Sequence, residues 1–465
     1  MNTLSLACRN LLRNRRRSLM TLVAMVLGLT TVLLFGGFIR DITYGMQGDF
    51  VRRTGHLQIQ HQDYFRFGSG NPAAYGMAGY QKIVALVEND PTLASMITVV
   101  TPTLQFSGIA GNFSAGVSRT VYISGVDVDG QSRMRKWNDY KQRDLSRRLS
   151  LSGSASDTAV IGTGVARVLQ LCAALKVPDC APESIKPEAA GEALPDDIAD
   201  LAGATATPKP TATSSDLPRL EILAANSRGA PNVAAVNVLH AEFQGVKELD
   251  DAYVGLHLSQ AQKLVFGASP PQATAIQVQL HHTAQIPAAR KRLEELLRTT
   301  LKDEPLAVVD YETLNPFYGQ TLSMFAAIFG FIAVLIGAIV LFTVANTMSM
   351  AVVERTAEIG TLRAIGRRRK GIRAMFVSEG LVLGCFGALL GIAAALLLAW
   401  VINQLELTWT PPGRNEAVAL AVRVAGEHAM MVVSAIVLII VAALSAIVPA
   451  ARAARMNIVD ALRHV

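Results

Sequence analysis

The chain has 465 residues, 51% of them hydrophobic and 17% charged, with a net charge of +7 and a mean hydropathy of +0.33. Such an apolar composition excludes an ordinary soluble multidomain protein and points to a membrane protein. The arginines cluster beside apolar runs, which reads as a topology signal and argues against nucleic acid as a partner.

In chain order, residues 1–17 carry Arg9, Arg13, Arg15, Arg16 and Arg17 and read as a cytoplasmic elbow helix. Residues 18–39 form the first of four uncharged runs of about 20 residues, the length that crosses a bilayer. This run is too long for a signal peptide's apolar core and no small-residue cleavage site follows it, so it is expected to stay as transmembrane helix 1.

Residues 40–315 follow as a large extracytoplasmic domain, long enough to bury its own core. Within it His56–Gln60, Ile97–Phe106 and Arg119–Val126 alternate or run apolar with β-branched residues and read as strands, while Gln81–Glu88 and Gly164–Leu171 read as short helices. After Pro218, RLEILAAN, VAAVNVLHAEF and ATAIQVQLHH are strand candidates. IPAARKRLEELLRTTL is an amphipathic helix opened by Pro287, and it leads into the strand LAVVDY. Strand, helix, strand over 273–311 predicts an α+β lobe. Between the two halves, residues 172–216 read as a flexible insertion, Ala/Pro/Asp/Glu/Thr-rich from 181 onward. Cys172 and Cys180 stand at its mouth, either as a disulfide closing a small loop or as two thiols, whereas Cys8 and Cys385 are expected to stay reduced.

Motifs of catalysis are missing. Gly-Lys occurs nowhere, so the phosphate-cradling GxxxxGK loop is absent, and neither HExxH nor GxSxG is present. VIGTGVAR at 160–167 has two glycines of a dinucleotide fingerprint without the third and reads as a strand-to-helix turn. GVDVDG at 125–130 lacks the third acidic ligand of a calcium loop, and His281 and His282, adjacent on a strand, face opposite ways. No catalytic, cofactor-binding or metal-binding residue is assigned, and the chain is read as a non-enzyme.

The C-terminal part alternates apolar runs with short charged stretches. Residues 316–353 are transmembrane helix 2 with a stalk: the uncharged run that contains them starts at Thr313 and, at roughly 1.5 Å per residue, reaches about 60 Å, twice a bilayer. A charged segment follows at 354–373, then helix 3 at 374–403, a short outer loop at 404–427, helix 4 at 428–451 and a tail at 452–465. The arginines flanking these runs, Arg363, Arg367–Arg369, Arg373, Arg452, Arg455 and Arg463, put both termini in the cytoplasm. The fold class expected is therefore an α-helical membrane protein with four transmembrane helices and a large α+β extracytoplasmic domain between helices 1 and 2.

On a helix Glu354 and Glu358 stand one turn apart and repel unless something basic meets them. The segment is either a solvated helix whose arginines fix topology or a docking knob, with Gly360, Ala364 and Gly366 allowing close approach. Glu379 is the one acid within a span, either paired structurally or part of a conformational switch. Gly380, Gly384, Gly387 and Gly391 form a small-residue face for packing within the bundle or on a second copy.

Asn346, ERTAEIGTLRAIG, Glu379 and the glycine-spaced GLVLGCFGALLG resemble the signature of the FtsX-like permeases, the four-helix membrane subunits of the MacB and lipoprotein-releasing (LolC/LolE) class of ABC transporters. The tail IVPAARAARMNIVDALR and the start LACRNLLRNRRRSLMTLVAMVLG are similar to that family's ends. VIGTGVARVL and DDAYVGLHLSQAQKLV look like pieces of the MacB-type periplasmic domain; the 172–216 insertion departs from it.

The resemblance implies a bacterial inner-membrane mechanotransmitter. It implies as partners a cytoplasmic ABC ATPase dimer holding ATP and magnesium, a second permease copy or paralogue, membrane lipid, and a periplasmic carrier or adaptor. It makes Glu354, Arg355, Glu358, Ile359, Gly360, Leu362, Arg363, Ala364, Ile365 and Gly366 the ATPase-coupling helix, with Arg355 and Arg363 available to acidic groups of the ATPase. Phe35, Phe38, Phe325 and Phe329, with Phe331, either line an apolar cleft for a lipoprotein or other hydrophobic substrate by pairing across a dimer, as the resemblance to the lipoprotein-releasing permeases implies, or face lipid. The alternatives are a transmitter that activates a cell-wall hydrolase or senses peptides, and a tripartite drug or peptide efflux permease.

Overall fold

The computed structural model describes residues 9, 13, 15–68, 71–142, 149, 151–178, 180, 217–410 and 417–456. Most of the expected elbow, the 181–216 stretch and the tail beyond Met456 lie outside the described residues. Contacts divide the chain into a helical unit (1–46, 316–411, 416–465) and an α/β unit (47–315, with 412–415).

The helix α1 (Arg15–Thr54) is 40 residues long. Its last turn belongs to the α/β unit, and its terminal carbonyls have no partner within the helix. Three buried glutamines supply one: Gln58 Nε2 donates to Thr54 O at 3.0 Å, Gln131 Nε2 to Arg52 O at 3.0 Å and Gln279 Nε2 to Val51 O at 3.2 Å.

The α/β unit continues with β1 (Leu57–His61), α2 (Tyr80–Glu88), β2 (Ile97–Asn112), β3 (Val117–Val126), α3 (Val128–Met134), β4 (Thr158–Gly162), α4 (Thr163–Val168), β5 (Arg219–Ala225), β6 (Pro231–Glu242), β7 (Tyr253–His257), α5 (Leu258–Phe266), β8 (Ala275–Leu280), α6 (Ile286–Thr300) and β9 (Leu306–Asp310). Among the described residues these strands form a nine-stranded sheet in the order β9-β1-β8-β2-β3-β7-β4-β6-β5. β5 also pairs with β2, with Ile109 opposite Leu223 and Gly111 opposite Glu221, so the last six strands close into a ring. The 16-residue β2 belongs to both parts: its first residues pair with β8 and its last with β5. Closure removes the exposed edge that an open sheet presents. Leu104, Phe106, Ile123, Ile161, Ile222 and Val254 fill the core of the closed part.

In the open part, strand alternation puts Leu57, Ile59, Ile276 and Val278 on one face. Helices α2 and α6 cover it, α6 through Ala289, Leu293, Leu296 and Leu297, spaced as one helical stripe. The other face carries Gln58 and Gln279, two of the three glutamines that hold α1, while Gln131 comes from α3.

Every strand and helix read from the sequence in this region is present within a few residues. The structure adds α3, β7 and α5, which the sequence reading did not assign. It also joins Cys172 and Cys180 as a disulfide with Cα atoms 6.3 Å apart.

His56 is fully buried before β1. Its Nδ1 accepts from Leu280 N at 3.0 Å, and its ring lies 5.1 Å from that of Trp137. Burial pushes its pKa down to about 3 from an ordinary 6.5. Between those values the unfolded chain binds one proton more than the folded chain, so this residue's stability is intact above pH 6.5 and is lost as pH falls toward 3. At pH 4.5 the loss is expected to be about 2–3 kcal/mol relative to pH 7. Denaturant unfolding followed by tryptophan fluorescence checks this: the pH slope should flatten in His56→Asn, and an unchanged slope refutes the assignment.

In the helical unit, α1 is joined by α7 (Pro316–Glu354), α8 (Thr356–Ala364), α9 (Arg369–Gln404) and α10 (His428–Arg455). Among the described residues α1, α7, α9 and α10 are long and apolar enough to cross a membrane. At 39 residues α7 is about 58 Å long at roughly 1.5 Å per residue. The glycine face of α9 packs within its own bundle. A β-carbon at Gly380 would stand 3.0 Å from Ala442 O, one at Gly384 3.1 Å from the Ala442 β-carbon, one at Gly387 2.9 Å from Met25, and one at Gly391 2.9 Å from Leu29. α9 thus sits on α10 with one pair of glycines and on α1 with the other.

Candidate functional site

The charged segment is a helix–break–helix–turn–helix. α7 ends at Glu354, Arg355 takes φ −106° and breaks it, and α8 follows. At the other end Gly366 has φ +96°, the left-handed region glycine enters freely, and lets the chain turn into α9 at Arg368. Ile359 holds α8 down, 1% exposed among Val352, Ile372, Phe376, Ala450 and Ala454.

Beneath α8 lies a buried ion pair. Arg355 Nη1 meets Glu379 Oε1 at 2.9 Å with side chains 5% and 2% exposed. The reading of Arg355 as available to a partner's acids is therefore corrected: the helix break turns it inward. The carboxylate that pairs with it lies 24 positions on, in α9. Arg363 likewise bonds within the chain, donating to the backbone carbonyl of Met456.

The two glutamates of the segment also have partners of their own. Arg17 Nη1 donates to Glu354 Oε2 at 2.6 Å, and Arg13 Nη2 lies 2.6 Å from Glu358 Oε1. The like charges at this spacing are neutralised by two arginines at the same spacing. One step further along, Thr21 Oγ1 donates to Thr347 Oγ1 at 3.0 Å.

Of the predicted coupling residues, Arg355, Ile359 and Gly360 are buried, Leu362 and Arg363 half-buried, and Glu354 and Glu358 exposed but paired. Ala364, Ile365 and Gly366 remain exposed, together with Ala357 and Thr361, which the sequence reading did not single out; Ile365 is 79% exposed. The segment presents a small-residue face ending in one aliphatic knob, followed by exposed Arg368, Arg369 and Lys370.

Of the aromatic residues read as a cleft, the structure brings two together. Phe35 and Phe329 stack with ring centroids 6.3 Å apart at 16°. Phe38 packs on Trp409 at 5.6 Å instead; Phe325 is half-buried and Phe331 exposed. Beside the stacked pair is an apolar cavity of about 200 Å³, lined by Gly28 and Val32 of α1, Phe329 and Ile336 of α7, and Val433 and Val437 of α10. The contribution of α10 was not legible in the sequence, because valines of one span carry no sign of which neighbour they face.

Near the turn between α9 and α10, Arg40 Nε meets Glu427 Oε2 at 3.2 Å, Tyr44 donates to Glu427 Oε1 at 2.9 Å, and Arg423 Nε meets Asp41 Oδ1 at 2.6 Å. These groups fasten α1 to the segment that leads into α10. Glu427 stood out in the sequence only as part of a weakly charged loop.

Among the described residues, four helices of spanning type, a short helix anchored between the second and third, and an α/β unit following the first are an arrangement consistent with a membrane permease. Residues 322–458 match the family described as FtsX-like permease C-terminal, so this part of the helical unit is similar to FtsX-like permeases. The chain is similar to the ABC transporter permease YtrF of Bacillus subtilis, 36% identical over 137 residues, 29% of this chain and 31% of the relative. It is similar to the macrolide export ATP-binding/permease protein MacB of Bdellovibrio bacteriovorus, 31% identical over 145 residues, 29% of this chain and 22% of the relative. It also resembles the lipoprotein-releasing system transmembrane protein LolC of Neisseria meningitidis, 25% identical over 174 residues, 37% and 40% of the two chains. The chain thus spans less than half the length of these relatives.

Proposed function

We propose that this chain is the permease subunit of an ABC transporter of the bacterial inner membrane and that it works by mechanotransmission. In this reading both termini and α8 are cytoplasmic, α1, α7, α9 and α10 cross the membrane, and residues 47–315 are periplasmic. A separate ATPase dimer, carrying ATP and magnesium, docks on α8 of this chain and of a second copy or paralogue, and its closure is relayed to the periplasmic unit.

The observation that carries the reading is the construction of α8. It is held from below by Ile359 and the Arg355–Glu379 pair, so that a push on its exposed Ala357, Thr361, Ala364 and Ile365 face moves the span ends rather than bending a loop. The apolar cavity between α1, α7 and α10 favours a hydrophobic cargo, in keeping with the lipoprotein release in the name of one relative and the macrolide export in that of another.

The test is Ile365→Asp in the complex purified with its ATPase. An anion on the protruding knob desolvates without a partner, and binding of the ATPase is expected to weaken about 10- to 100-fold, the equivalent of roughly 1.4–2.8 kcal/mol, with folding unchanged because the residue is exposed. Undiminished binding removes α8 as the docking element.

A further inference from the structure

We infer that Arg13 and Arg17 are positioning residues that lock the start of α1 and the residues just before it to the junction of α7 with the coupling helix α8, so that α1 is driven by that junction as α7 is. The inference rests on the reading of α8 as the element an ATPase moves. α7 reaches α8 through one residue, Arg355, and is bound to follow it. α1 has no such covalent tie, since more than three hundred positions separate Arg17 from Glu354.

The start of α1 runs antiparallel to the end of α7 and the beginning of α8, the earlier residue on one side taking the later residue on the other. Arg13 pairs with Glu358, Arg17 pairs with Glu354, and the Thr21–Thr347 hydroxyl contact continues the series. Arg17, in the first turn of α1, meets the last residue of α7, and Arg13, two positions before α1, meets Glu358 in the first turn of α8, so the two pairs bracket the break at Arg355. One exposed ion pair holds little, but two on either side of the Arg355 break fix both the separation and the rotation of the start of α1 against the α7–α8 junction. Each glutamate also relieves the repulsion between the arginines, and each arginine that between the glutamates. Arg17 Nη1 and Nη2 go to the two oxygens of Glu354, the fork geometry that a lysine at 17 would not supply.

A charge-exchange series tests this. Spin labels at the exposed positions Leu19 and Ala357 report the α1–α8 separation in the full chain in nanodiscs. The native chain is expected to give one narrow distance distribution. Arg17→Glu and Glu354→Arg, each placing like charges at the contact, are expected to broaden it, and the double variant Arg17→Glu/Glu354→Arg to narrow it again. A narrow distribution in Arg17→Glu, or no recovery in the double variant, overturns the lock. With the ATPase bound, the native separation should stay the same in ATP and ADP while that in Arg17→Glu widens with ATP by several ångströms. If the ATPase does not bind the native chain, the reading of α8 fails, yet the nucleotide-free series still decides the lock.

Discussion

Glu379→Leu is expected to destabilise the helical unit by about 3–5 kcal/mol, because it takes the buried carboxylate from an Arg355 guanidinium whose side chain is only 5% exposed. The cost arises on the arginine's side of the pair. In water the guanidinium would keep its hydration, whereas here its side chain is buried against that of Glu379. Replacing both members, Arg355→Met with Glu379→Leu, removes the buried charge altogether and is expected to recover most of the loss, since apolar groups of similar volume replace such a pair at little cost. The recovery separates a stability effect from a functional one. If the pair serves only to hold α8, the double variant regains both thermal stability and ATPase coupling. Thermal unfolding in detergent checks the energies, and a single variant within about 1 kcal/mol of the native chain contradicts the buried-pair assignment.

Asp250→Ala is expected to cost about 3–5 kcal/mol in the α/β unit, from several buried donors losing one acceptor at roughly 1–3 kcal/mol each. Asp250 is 1% exposed and accepts from Thr163 N at 2.8 Å, Gly164 N at 2.9 Å, Gln244 N at 3.2 Å and the Thr163 hydroxyl. It fills, from within the chain, the amide cradle that a glycine-rich turn at a helix start otherwise offers to a phosphate. Gly162 and Gly164 are glycines for the same reason: a β-carbon at either would lie 2.0 Å from Asp250 O or from Asp251 Oδ1. Asp250→Asn, which keeps an oxygen but loses the charge, is expected to fall between the two. Chemical denaturation with a β-sheet readout decides it, and equal stability of Asp250→Ala and the native chain contradicts the account.

That cradle shows where sequence reasoning stopped. VIGTGVAR was legible as a strand-to-helix turn, and the missing third glycine argued against a nucleotide, but nothing local named the carboxylate 86 positions away that occupies it. The same holds for charge. Glu354 and Glu358 announced a need for cations, and Arg13 and Arg17 announced a cluster, yet only folding brings α1 and α7 side by side. Glu379 was legible as a paired acid, but its nearest basic residue in sequence, Arg373, is not its partner. The spans were readable as uncharged runs of bilayer length, and α6 and the strands β1, β5, β6 and β8 because their apolar residues recur with the period of the element. β7 was not, since Val254, Gly255 and Leu256 are all buried and show no alternation. Closure of the sheet through β5 and β2 is likewise a pairing of distant strands that leaves no local mark.

The central claim is that this chain relays the work of a separate ATPase to residues 47–315. Pulsed electron paramagnetic resonance on the chain reconstituted with its ATPase in nanodiscs tests it most directly, with one label on exposed Phe113 of each permease copy. The account predicts that the Phe113–Phe113 distance shifts by several ångströms between the ATP-trapped and ADP-bound complexes. An identical distance in both states, while the ATPase turns over and remains bound, would contradict it.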